Sequence, residues 1–252
     1  MLPTLLLGLG LATLSAAACG TTPGAPAAAT LLLAPSTASF TTATGWSITL
    51  DEAWLVPSAL YVYAPDGDTM ASLARVLVPV AHAHGGHDPF GARRVRLEWL
   101  GPRALDLLAR GRVEIGVLDG SVGPTSDATL AFGVLPDDLA ASTGPSRGHH
   151  AFVAGTATRE GQTIAFEGGL DLAGDGTQPL IEAIAIDARV EAEGELAMTV
   201  DLARWLDEAQ LDRLPDAEVR VLAPGTQPAI AWSLGLRDPR AYPLTYEPQP
   251  MN

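Results

Sequence analysis

The amino-acid sequence predicts an all-β protein, a β-sandwich or open barrel of about ten short strands with short C-terminal helices. Many segments alternate apolar and polar residues, and clusters of turn-forming residues separate them. The chain holds 26 Gly and 20 Pro in 252 residues, a level typical of a turn-rich β protein. No repeat of fixed period is visible, which excludes a propeller or a solenoid.

The first half of the chain contains several strand patterns. Trp46–Leu50 alternates apolar and polar residues, and a second strand is predicted over Leu55–Tyr63, interrupted by Pro57. Val76–Val80 is a continuous apolar run that suits a buried strand, with a helical turn over 70–77 as the alternative. The alternation in Arg94–Leu100 places Val95, Leu97 and Trp99 on one side, which we expect to face the core.

The middle of the chain continues this pattern as far as two hairpin signals. We expect a short helix over Pro102–Arg110 and strands over Arg112–Leu118 and Asp127–Leu135. The turn Arg159-Glu160-Gly161-Gln162 predicts a hairpin of Ala151–Thr158 with Thr163–Leu172. A similar pair is predicted for Ile184–Val190 with Leu196–Leu202. Helix-like spacing follows in Trp205–Leu211 and Gln227–Leu236.

The N-terminus resembles a bacterial lipoprotein signal peptide. Leu2–Ala18 is uncharged and rich in Leu and Ala, ends in small residues, and precedes Cys19, the only cysteine of the chain. The resemblance implies that residues 1–18 are removed and that Cys19 carries a lipid. Residues 19–35 would then form a lipidated tether, and 36–252 a single β-rich domain. The alternative is ordinary signal cleavage beside an incidental cysteine.

The charge balance argues against nucleic acid as a partner. The net charge is -14, and all 15 basic residues are arginine. Such a chain repels a phosphate backbone, so nucleic-acid binding would lack its usual electrostatic driving force. The expected partner surface is a membrane, reached through the lipid anchor, in the bacterial cell envelope. The outer membrane, facing the periplasm or the cell surface, is the expected location.

Three of the five histidines lie within six positions, at His82, His84 and His87, and Asp88 follows directly. Imidazole is the commonest protein ligand for zinc and copper. On a strand, His82 and His84 share a face, and Gly85-Gly86 would let the chain fold back towards them. This pattern predicts a transition-metal site, with a solvated glycine-rich turn as the alternative.

The other two histidines, His149 and His150, follow a Gly/Pro/Ser loop and precede a predicted strand. Adjacent strand residues face opposite sides of a sheet, so we expect only one of the two to join the first three histidines as a ligand. One cysteine and four methionines argue against a site built for Cu(I).

Other sites have weaker support. No serine lies in a Gly-x-Ser-x-Gly context, and the glycine-rich segments lack the lysine of a phosphate-binding loop. Asp171, Asp175 and Asp187 do not form a calcium-binding loop pattern. The five tryptophans could stack on a sugar, but most fall in periodic segments where aromatic residues usually belong to the core.

Most of the mature chain, over the residues from about Gly45 to Leu206, resembles a group of bacterial secreted or lipid-anchored proteins that share an Ala-His-x-His-x-Gly-His type segment. Where members of that group have Pro-Gly-His-Tyr, this chain has Gly85-Gly86-His87-Asp88. The resemblance implies a secreted or lipid-anchored location, but it does not indicate which activity the protein has. It is carried by these segments: Gly45-Trp46 with Thr49-Leu50 and Ala53, Leu60-Tyr61-Val62-Tyr63, Ala81-His82-Ala83-His84-Gly85-Gly86-His87, Ala154-Gly155-Thr156-Ala157-Thr158 with Gly161 and Phe166, and Trp205-Leu206.

These observations favour an envelope lipoprotein that binds copper or zinc for storage, delivery or sensing. His82, His84 and His87 would be ligands, with His149 or His150 as a fourth and Asp88 as a ligand or an orienting group. No general base or substrate cleft is identifiable in the sequence, so catalysis is not predicted, and a metal-dependent enzyme would need an open coordination position. The alternative is an adhesion or assembly module that binds a protein or glycan and exposes an apolar or aromatic patch.

Overall fold

The computed structural model describes residues 24–65, 93–172 and 179–249. Within these ranges the protein is all-β, as predicted, with 16 strands and three short α-helices. The prediction of about ten strands is too low because five strands of two or three residues are too short to show alternation. The strands are β1 (Pro26–Leu33), β2 (Ser39–Thr41), β3 (Ser47–Leu55), β4 (Ala59–Tyr63), β5 (Val95–Leu100), β6 (Leu105–Asp106), β7 (Val113–Ser121), β8 (Gly123–Pro124), β9 (Asp127–Ala131), β10 (Ala151–Arg159), β11 (Gln162–Leu170), β12 (Leu180–Ala185), β13 (Arg189–Val190), β14 (Glu193–Met198), β15 (Val219–Val221) and β16 (Leu244–Pro248).

Two large sheets share one hydrophobic core. The first has eight strands in the order β12-β9-β4-β5-β7-β1-β14-β16, and the second has the order β15-β11-β10-β3-β2, with β6 also paired to β3. A small third sheet joins β8 and β13. Apolar side chains of both large sheets meet in the core, among them Leu31 of β1, Ile48 of β3 and Phe166 of β11.

The segment predicted as a tether contains a strand, which corrects the boundary at residue 36. β1 pairs with β7 on one side and in parallel with β14 on the other. Its alternate residues Ala27, Ala29, Leu31 and Leu33 are buried. Its Ala-rich composition is also typical of linkers, but its period of two is that of a strand with one buried face. The sheet therefore begins at Pro26.

The predicted β10–β11 hairpin is present, with Arg159 opposite Gln162 and Ala151 opposite Leu170. The second predicted pair is wrong. β12 pairs with β9, while β14 lies between β1 and β16. Residues 191–195, rich in Glu and Gly, have the composition of a hairpin turn, but β14 already begins at Glu193 and Arg189–Val190 pairs with β8. Turn composition does not determine which strand a chain segment joins.

The helices are short and lie mainly in the C-terminal part of the chain. They are α1 (Asp137–Ala140), α2 (Leu202–Leu206) and α3 (Gln227–Leu236), with 3-10 turns at Leu211–Arg213 and Pro239–Ala241. The helix expected over Pro102–Arg110 is absent, because Leu105–Asp106 pairs as β6 with β3.

The two C-terminal helices begin at capping residues. The Asp201 side chain accepts hydrogen bonds from the N–H groups of Ala203 and Arg204, and Thr226 accepts one from Ala229. Where α2 meets α3, a Cβ on Gly235 would lie 2.3 Å from the Arg204 carbonyl oxygen, so only glycine allows this close approach.

Candidate functional site

The two downstream histidines stand at the end of a loop that Arg147 holds in place. Its guanidinium donates to Glu167 at 2.7 Å and to Glu52 at 3.0 Å, and lies 4.2 Å from the centre of the Phe152 ring. These contacts tie the loop to strands β3, β10 and β11. The anchored loop therefore fixes the position of the two histidines directly before β10.

His150 is buried, with 3% of its surface exposed, and both of its ring nitrogens bond to the backbone. Nδ1 accepts the N–H of Leu172 at 3.3 Å, so Nε2 carries the proton and donates it to the Gly133 carbonyl at 2.7 Å. The ring also meets Phe132 edge to face. Metal binding by His150 would require breaking one of these bonds, so its contacts are those of a structural residue.

His149, unlike its neighbour, is partly exposed. Its Nδ1 lies 3.2 Å from both carboxylate oxygens of Asp171. Its ring packs against Gly169, where a Cβ would come within 1.9 Å of the His149 Cδ2 atom. Among the described residues, Nε2 has no hydrogen-bond partner. A carboxylate at Nδ1 and an unbonded Nε2 form the arrangement usual for a metal-ligating histidine with its orienting carboxylate.

The sequence singled out Asp171 only as a residue outside any calcium-loop pattern. The register of the β10–β11 hairpin would have predicted that Asp171 lies near the two histidines. Because Ala151 faces Leu170, continuing the register by one residue places Asp171 opposite His150 and near the loop that carries His149. The turn at Arg159–Gln162, visible in the sequence, was sufficient to derive this neighbour.

A cleft of about 430 Å³ lies beside this pair, and most of its other lining residues are apolar. His149 and Asp171 line it together with Val221 of β15, Leu222 just after that strand, and Ile230 of α3. A partly exposed imidazole thus borders a cavity large enough for a small ligand.

The structure brings together only part of the predicted ligand set. His82, His84, His87 and Asp88 lie outside the described residues, as does Cys19. Within 24–65, 93–172 and 179–249, no group of three or more His, Cys, Asp or Glu side chains is placed to hold a metal ion. To the predicted metal site, the described ranges contribute the candidate ligand His149 and its carboxylate partner Asp171.

Four of the five tryptophans are buried, which argues against a sugar-stacking platform. Trp46, Trp205 and Trp232 are at most 1% exposed and Trp99 is 7% exposed, whereas Trp54 is intermediate. The expectation that they belong to the core is met for these four. A buried ring has no face left for a glycan.

Comparison with protein families, with curated proteins and with solved structures finds no match to this chain. Over the described ranges, none of the helices has the length and apolarity needed to cross a membrane.

Proposed function

We propose that this protein binds a divalent transition metal, copper or zinc, for storage, delivery or sensing. The observation that carries the proposal is the pairing of His149 Nδ1 with Asp171 at 3.2 Å, with Nε2 lacking any hydrogen-bond partner in the described part of the chain. A carboxylate in this position fixes the tautomer that keeps the Nε2 lone pair available for a metal ion.

The remaining ligands are proposed from the sequence. His82, His84 and His87 supply three imidazoles, which with His149 complete the four-ligand set preferred by zinc and accepted by copper(II). Asp88 is proposed as a further ligand or as an orienting carboxylate. Because His150 already bonds to the backbone through both nitrogens, His149 is the better candidate of the downstream pair.

Metal uptake by the purified chain, carrying a tag without histidine, tests the proposal. We expect one equivalent of Zn²⁺ or Cu²⁺ to bind in calorimetric titration. His149→Ala and Asp171→Asn should each weaken binding about 10-fold to 100-fold, and His82→Ala/His84→Ala/His87→Ala should abolish it.

Asp187→Asn is the matched control because Asp187 is an exposed carboxylate outside the site, and its loss should leave the affinity unchanged. Gly169→Ala should weaken binding without removing a donor atom, since the added methyl group displaces the His149 ring. No uptake of either metal, or full affinity in His149→Ala, would contradict the proposal.

We also propose that Cys19 is lipidated and anchors the protein in the cell envelope, with the outer membrane as the expected site. The support is the apolar segment Leu2–Ala18 that ends in small residues before the only cysteine. We expect the full chain to partition into detergent when expressed in bacteria, and Cys19→Ser to move it to the aqueous phase. Equal partitioning of both proteins would refute the anchor.

An adhesion or assembly module is the second candidate function, and exposed apolar side chains favour it. Eight large apolar residues of the described ranges are exposed, and four of them lie on β15 and α3: Val219, Val221, Ile230 and Leu234. Such clustering is typical of a surface that binds another protein. The burial of four tryptophans favours a protein over a glycan as the partner.

A further inference from the structure

Helix α3 is apolar on both its inner and its outer face. Trp232 and Leu236 point into the core, whereas Ile230 and Leu234 are 52% and 67% exposed, and the helix has no charged residue. A surface helix normally carries polar side chains on its outer face, and one that is apolar all round is normally covered. The outer face of α3 therefore has the composition of a contact surface.

Ile230 stands between two clefts, which together we call the α3 groove. One is the cleft of about 430 Å³ that reaches Val221, and the other, of about 580 Å³, reaches Leu234; Ile230 and Gly225 line both. The two cavities are therefore contiguous along the first half of the helix. A groove with an apolar ridge at its centre suits a segment that inserts apolar side chains on both sides.

The unbalanced charge of the groove is negative. Its two arginines are paired: Arg204 with Asp201 at 3.3 Å, and Arg240 with Asp238 at 2.7 Å. The hydrogen bond from Arg240 lowers the pKa of Asp238, so this partner stays ionised.

Asp207 and Glu208 also line the groove, and in the part of the chain that the structure describes neither forms an ion pair with a cation. Among the described residues, the Asp207 carboxylate accepts a hydrogen bond only from the N–H of Ala43, at 2.7 Å. These two adjacent carboxylates leave a net negative potential at one end of the apolar surface, on a chain whose total charge is -14.

We propose that the α3 groove binds a positively charged segment of a partner protein that anchors apolar side chains on either side of Ile230. This inference rests on the second candidate function and adds the chemistry of the partner. A second copy of this chain is disfavoured as the occupant because it would bring a second charge of -14 to a negative surface.

Synthetic peptides of equal length, labelled with fluorescein, test the inference by fluorescence anisotropy. A Leu/Arg peptide should bind, whereas a Leu/Glu peptide should not, and a Ser/Arg peptide should bind at least about tenfold more weakly than Leu/Arg. Ile230→Ser/Leu234→Ser should weaken binding of the Leu/Arg peptide about tenfold. Val134→Ser, which changes an apolar residue 90% exposed elsewhere on the surface, is the control and should leave binding unchanged.

The charge is tested with Asp207→Asn/Glu208→Gln, which should weaken binding of the Leu/Arg peptide several-fold and reduce its salt dependence. Asp137→Asn/Asp138→Asn removes two adjacent exposed carboxylates from α1 and should have no effect.

Equal binding of the Leu/Glu peptide would overturn the charge assignment and leave the second candidate function standing. Unchanged binding of the Leu/Arg peptide to the Ile230→Ser/Leu234→Ser variant would overturn the groove as the binding site. Self-association in sedimentation that this double variant abolishes would assign the groove to a second copy and overturn the inference. If no peptide binds, both the inference and the second candidate function lose their support.

Discussion

Replacing Trp232 with alanine is expected to lower the free energy of unfolding by about 3–5 kcal/mol, the range for removing a large aromatic side chain from a core. Trp232 is fully buried and anchors α3 to the core shared by the two sheets. Because α3 meets α2 closely at Gly235, the helices cannot readily collapse into the space left by the indole. Urea unfolding followed by circular dichroism measures the loss.

Two variants of the same helix serve as controls for Trp232→Ala. Leu234→Ala removes an apolar side chain that is 67% exposed and should change stability by less than about 0.5 kcal/mol. Trp232→Phe should cost much less than alanine, since it keeps most of the ring and the Trp232 indole N–H has no hydrogen-bond partner in the described structure. A loss below about 1 kcal/mol in Trp232→Ala would contradict the packing described for α3.

Replacing His150 with alanine is expected to lower the free energy of unfolding by about 2–4 kcal/mol. The variant leaves the Gly133 carbonyl and the Leu172 N–H without partners, and an unsatisfied buried polar group costs about 1–3 kcal/mol. It also opens a cavity beside Phe132. The same unfolding measurement applies.

The neighbouring variant His149→Ala is the matched control for His150→Ala. His149 is partly exposed and, among the described residues, bonds only to Asp171, so its loss should leave stability nearly unchanged while it weakens metal binding. The two variants would thus show that His150 has a structural role and His149 a metal-binding role. If His150→Ala kept full stability and lost metal affinity, His150 would be the ligand and the assignment would reverse.

Local patterns predicted those parts of the fold that depend on neighbours in the sequence. The β10–β11 hairpin and α3 were recognisable, since turn chemistry and helical spacing act over a few residues. In β5 the alternation correctly placed Leu97 and Trp99 in the shared core, whereas Val95 packs in a separate cluster with Tyr61 and Tyr63 beyond a register shift. The strand nature of Pro26–Leu33 was missed because its small residues have the composition of a linker, although its period of two was present.

At the site, the strand period led to the expectation that only one of His149 and His150 would be a ligand, but it could not tell which one was buried. Both residues precede β10, and their Nδ1 atoms lie 3.2 Å and 3.8 Å from the same Asp171 oxygen. Which of the two is buried depends on Gly133 and Leu172, which come from other segments and bond both nitrogens of His150. The partner Asp171 was derivable from the hairpin register, whereas the α3 groove was not, because it joins β11, β15, α2 and α3.

By itself the sequence determined the all-β class, the hairpin and the position of α3, because each follows from short-range geometry. Only the tertiary structure decided that β1 lies between β7 and β14, that His150 is structural while His149 meets Asp171, and that an apolar helix face is left open beside two carboxylates. Those features depend on contacts between residues far apart in the chain, and local periodicity carries no information about which distant segments meet.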